Sequence, residues 1–134
     1  MTTAIRAGLA YFLIVFAIAF GLGVIRVSFI VPRIGELAAV CIEGPLVLAI
    51  SWAVCRRVVR RFAVPPGAAP RLAMGALAFT LLMAAELALS VTLGGLSAAQ
   101  HGALYRVLAQ QIGLAAQIGF AAIPWLQRHS AESR

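Results

Sequence analysis

The stretch "GELAAVCIEGPLVLAISWAVC", residues 35–55, decides the fold. It has the ~20 mostly apolar residues that a helix needs to cross ~30 Å of hydrocarbon. Yet it carries Glu36 and Glu43, with a Gly44-Pro45 pair directly after the second acid. An ionisable side chain at bilayer depth costs ~2.5–3.5 kcal/mol on insertion scales. Acids and a helix breaker in one span therefore require a partner, a cavity or both.

Similar apolar runs flank this one, and spans are expected at about 7–25, 35–55, 72–93 and 107–126. The chain of 134 residues is 63% hydrophobic, well above the roughly 45–50% of soluble domains. Its mean hydropathy of +1.00 reflects long unbroken runs. The expected fold is an all-α membrane protein, a single domain over residues 1–134 with four antiparallel transmembrane helices in one bundle. The connections are "RVSFIVPRI", with Pro32 as its breaker, "RRVVRRFAVPPGAAPR", ended by Pro65-Pro66-Gly67, and "GGLSAAQHGALYR". All are short, which makes consecutive helices neighbours. The opening "MTTAIRAGLAYFLIVFAIAF" resembles a secretory signal, with Ala17-Ile18-Ala19 as an A-x-A site, and is read as a retained span.

The net charge of +7 comes from 11 Arg, no Lys, four Glu and no Asp. Such a charge can mark a nucleic-acid partner, but most of these arginines cluster between spans, so none is expected. With the N-terminus inside, the inner side collects Arg6, Arg56, Arg57, Arg60, Arg61, Arg71, Arg128 and Arg134, and the outer side Arg26, Arg33 and Arg106. The positive-inside rule then orients both termini toward the cytoplasm, N-in and C-in. The Ala- and Arg-rich composition without Lys fits a GC-rich genome, and the expected location is a bacterial inner membrane, crossed several times. In "RRVVRR", Arg56, Arg57, Arg60 and Arg61 lie on one helical face at headgroup level, where anionic lipid headgroups are the expected partners.

Depth arithmetic brings the acids together. The second span enters from the outer side, so Glu36 sits at the interface and Glu43 about 10 Å deeper. Glu86 precedes the outer end of the third span by a similar depth. Glu36, Val40, Glu43 and Val47 share a helix face. Arg106, Gln110 and Gln117 make another stripe on the fourth span, and Gln111 points elsewhere. Lipid offers such groups no hydrogen-bond partners, so both stripes should turn inward. The expected result is a polar pocket facing the outer leaflet, lined by Glu36, Glu43, Glu86, Arg106, Gln110 and Gln117, with Arg26 and Arg33 near its mouth. Pro45 lacks the N–H that would bond the Cys41 carbonyl. Gly44-Pro45 is therefore expected to break or kink the helix beside the site, as discontinuous helices do in transporters.

Other chemistries lack residues. His101 and His129 fall on opposite sides, so neither a metal nor a haem is expected. Cys41 and Cys55 lie about 21 Å apart along one helix, too far for a disulfide. A Ser/His/Asp triad fails for want of Asp. No cofactor is expected and no catalytic residue is assigned.

Four short helices with an intramembrane glutamate resemble in outline the small multidrug resistance transporters. Those carry the essential glutamate in the first helix, whereas "AGLAYFLIVFAIAFGLGVI" contains no acid, so no residue is carried over and no family is assigned. The leading expectation is a small transporter or ligand-binding protein. Glu43 and Glu86 would bind a cation or exchange protons, Gln110 and Gln117 would orient the ligand, and Arg106 would tune the carboxylates. The alternatives are an accessory subunit or assembly factor of a larger membrane complex and, third, an intramembrane lipid-modifying enzyme. A wall only four helices thick also favours a homo-oligomer.

Overall fold

The computed structural model describes residues 1–132; Arg134, counted above on the inner side, lies outside the described residues. Five helices follow one another: α1 (Thr2–Ile34), α2 (Glu36–Arg61), α3 (Ala68–Thr92), α4 (Ala98–Arg106) and α5 (Leu108–Glu132). Three of them are long and apolar enough to cross a membrane, or four if α4 and α5, bent by 96°, form one broken span. Large apolar side chains such as Leu13, Ile18, Val24, Ile42, Leu46 and Ile118 are exposed on the outer faces. Lipid solvates such a surface and water does not. The chain is a multi-pass membrane protein.

The first connection differs from expectation. Pro32 does not end the first helix; α1 runs to Ile34 through a π turn at Arg26–Ile30, where the Val31 N–H reaches the Arg26 carbonyl. A proline ring clashes with the carbonyl of residue i−4 and leaves it without a donor, here Ser28. Widening the turn just before Pro32 shifts the hydrogen-bond register, which accommodates the ring. The chain breaks at Gly35 instead, with φ +85°, a conformation that costs glycine little.

The break expected at Gly44-Pro45 is likewise corrected. Helix α2 runs without interruption from Glu36 to Arg61, with Pro45 inside it. One missing hydrogen bond is tolerated because those on either side hold the helical register. The helix also extends past the expected end, so "RRVVRR" is helical.

The long helices form a four-cornered bundle. Helix α1 packs on α2 and α3, and α5 packs on the same two. Arg6 lies over the Phe62 ring at 5.7 Å, and Arg26 pairs with Glu43. Helices α1 and α2 thus run in opposite senses. Tyr11 bridges α1 and α5 through the centre. Its hydroxyl donates to the Phe120 carbonyl at 2.8 Å, and the two rings stack at 4.4 Å. Around this pair lie buried Cys55, Met74, Ala78 and Ile123. At Gly75 the α3 and α5 backbones nearly touch, because a Cβ there would overlap the Ala121 carbonyl.

Part of the expected third connection is helix α4. Ser97 caps it: its Oγ accepts from the Gln100 N–H at 3.1 Å, and Gln100 Oε1 accepts from the Ser97 N–H at 2.8 Å. Ser-x-x-Gln at 97–100 is the sequence signal for such a capping box. At the corner into α5, Gln111 Nε2 donates to the Tyr105 carbonyl at 3.0 Å.

Candidate functional site

A cavity of about 260 Å³ opens between the four long helices. Each helix contributes one stripe at helical spacing. From α2 come Glu36, Val40, Glu43 and Val47, and from α5 come Gln110, Gly113, Gln117 and Phe120. Helix α3 adds Leu82, Glu86 and Leu89. Helix α1 adds an aromatic stripe, Phe12, Phe16 and Phe20, and ends with Arg26 on the π turn. The lining is therefore divided. Polar groups gather toward the Gly35 end, and Phe12, Phe16, Val47, Leu82 and Phe120 make an apolar floor.

The structure brings Glu36, Glu43, Glu86, Gln110, Gln117 and Arg26 onto this one cavity and leaves two expected residues out of its lining. Arg33 is exposed and folds back to donate to its own Phe29 carbonyl. Arg106 is exposed at the end of α4, on the far side of the corner from α5. The α5 stripe begins only after that corner, so Arg106 is not continuous with Gln110 and Gln117. His101, expected in an open loop, is buried, with Nδ1 and Ser90 Oγ at 2.7 Å and Tyr105 edge-on at 5.7 Å.

The acids are held differently. Glu43 is ion-paired with Arg26, both side chains about one-fifth exposed. That pair neutralises its charge where water is scarce. Glu36 is exposed at the mouth. Glu86 accepts from Gln117 Nε2 through one oxygen. Its second oxygen, Oε2, and Gln117 Oε1 are both buried and lack a hydrogen-bond partner among the described residues. A buried acceptor without a donor costs about 1–3 kcal/mol, more when it is charged. Two such acceptors on one hydrogen-bonded pair invite a ligand or solvent that carries donors.

Charge gives the same preference. With every group ionised, three carboxylates (Glu36, Glu43, Glu86) face one guanidinium (Arg26), so the cavity is acidic inside a chain of net charge +7. A cation with N–H donors and an apolar body would be complementary to both halves of this lining. Among the described residues, no three His, Cys or acidic side chains converge to hold a metal ion.

The apolar floor is not among the features expected from the sequence. Its signal was the aromatic spacing Phe12, Phe16, Phe20 in the first span. In a chain this apolar, such a stripe looks the same as one that faces lipid.

Comparison with known proteins finds no family model, no curated protein and no solved structure that matches the chain.

Proposed function

We propose that the chain is a small four-span membrane transporter, N-in and C-in, whose acidic cavity binds a small organic ammonium ion. Glu86 and Gln117 accept its N–H donors, Glu36 attracts it at the mouth, and the aromatic floor takes its apolar part. Glu43, neutralised by Arg26, organises the wall rather than carrying the ligand. The excess of arginine at the other end of the bundle supports this orientation, with the cavity reached from the outer side of a bacterial inner membrane. The observation that carries the reading is the pair of buried, unmatched acceptors, Glu86 Oε2 and Gln117 Oε1.

The test is protection from a hydrophobic carbodiimide. Dicyclohexylcarbodiimide adds to carboxylic acids in apolar surroundings and leaves an acylurea that mass spectrometry locates. Labelling of Glu86 is expected, and benzylammonium at about ten times its Kd should slow the loss of unmodified Glu86, counted as acylurea plus any benzylamide formed by the amine, about tenfold by occupancy. Equal labelling of Glu86 with and without the probe would contradict the reading.

A further inference from the structure

The arginine-rich end of the bundle holds a second cavity, separate from the acidic one. It measures about 420 Å³ and is lined by Trp52, Arg56, Val59, Arg60, Arg71, Gln127 and Ser130. Arg56 and Arg60 lie one turn apart on α2, whereas Arg71 comes from the first turns of α3. Three guanidiniums thus face one space whose lining, among the described residues, includes no carboxylate.

Arg71 is the unusual member. It is only 5% exposed. Its Nε donates to the Pro65 carbonyl at 3.0 Å and one Nη to the Val64 carbonyl at 3.4 Å. The other terminal nitrogen, Nη1, is buried without a partner among the described residues. The surroundings add to the cost. The start of a helix carries the positive end of its dipole, which disfavours a cation there. A buried guanidinium needs an anion to offset its desolvation, and the turn between α2 and α3 supplies only carbonyls to this one. The Pro65-Pro66-Gly67 turn holds Arg71 in place at the cavity wall.

The geometry points to a site for a phosphate-type oxyanion, with Arg71 as its fixed base and Arg56 and Arg60 as its rim. Guanidinium forks match phosphate oxygens in charge and geometry. The same chemistry is offered by an anionic lipid headgroup, which at this end of the bundle is at hand, and by a free phosphate. The site also divides the basic run of α2. Arg56 and Arg60 line the cavity, and Arg57 and Arg61, in the same run with the same charge, do not.

That division supplies the test. Purified protein in phosphatidylcholine nanodiscs is titrated with phosphatidylglycerol, read by native mass spectrometry, and separately with inorganic phosphate, read by calorimetry. The double variant R56Q/R60Q should bind one of these probes at least about tenfold more weakly than wild type, since each charge-assisted bond contributes measurably. R57Q/R61Q, with the same loss of charge, should stay within about twofold. R71Q should weaken binding wherever it folds, and the two double variants decide the matter if it does not fold. Retention of phosphatidylglycerol alone assigns the site to a lipid headgroup; saturable binding of inorganic phosphate assigns it to a soluble phosphate. Equal losses in the two double variants would reduce the site to a diffuse basic surface and overturn the proposal, as would the absence of binding by both probes.

Discussion

Glu86→Gln is expected to weaken benzylammonium binding by about thirtyfold or more, with the fold intact. Hydrogen bonds to a charged group contribute about 1.5–3 kcal/mol, and each ~1.4 kcal/mol is tenfold in affinity. The substitution removes the charge and preserves the shape. It also places an N–H donor where an acceptor is needed, opposite the ligand's own donors. The bond from Gln117 can persist to the remaining carbonyl oxygen, so the α3–α5 contact should survive. Titration calorimetry in nanodiscs measures the affinity, and circular dichroism during thermal unfolding measures the fold. Loss of affinity within about threefold of wild type would place the ligand elsewhere.

Gly75→Ala is expected to produce the largest loss of stability of any single methyl addition in the bundle. The new Cβ would overlap the carbonyl oxygen of Ala121. Backbone cannot swing aside as a side chain can, so α3 and α5 must separate. Overpacking costs typically about 1–3 kcal/mol, and this contact should reach the top of that range. The same seam carries Glu86 and Gln117 further along, so benzylammonium affinity should fall as well. Gly21→Ala is the control, because a Cβ there meets nothing within 4 Å and alanine is the better helix former. Unfolding in mixed detergent micelles measures both variants. Equal stability of G75A and G21A would mean that the two helices are not in contact at this level.

These cases mark what a single sequence can and cannot convey. The apolar runs and the helical phases of Glu36/Val40/Glu43/Val47 and Gln110/Gln117 depend only on local periodicity, so they were readable. The shared depth of Glu43 and Glu86 followed from the rise per residue. The pairing between helices was not readable in the same way. Residue spacing leaves Glu43 open to Arg26, Arg106 and the glutamines, and only the packing of the helices brings Arg26 against it. Arg106 looked continuous with the α5 stripe because a 96° corner leaves no mark on residue spacing. The usual rule for prolines predicts a break at both Pro32 and Pro45. One is accommodated by a widened turn and the other by an intact helix, and residue spacing marks neither outcome. The close approach at Gly75 is likewise invisible in sequence, where small-residue pairs at helical spacing occur equally on α5, at Ala109/Gly113 and Ala115/Gly119. A Cβ at Gly113 meets nothing within 4 Å.

The central claim is that the cavity selects an N–H-bearing cation. It is tested most directly by titrating the wild-type protein in nanodiscs with three probes of one shape class: benzylammonium, benzyltrimethylammonium and benzyl alcohol. The first offers charge and N–H donors, the second charge alone, and the third neither charge nor an ammonium. Saturable binding should fall in that order, with at least about tenfold between the first and the last. Benzyl alcohol binding as tightly as benzylammonium, or no saturable binding of benzylammonium, would contradict the account.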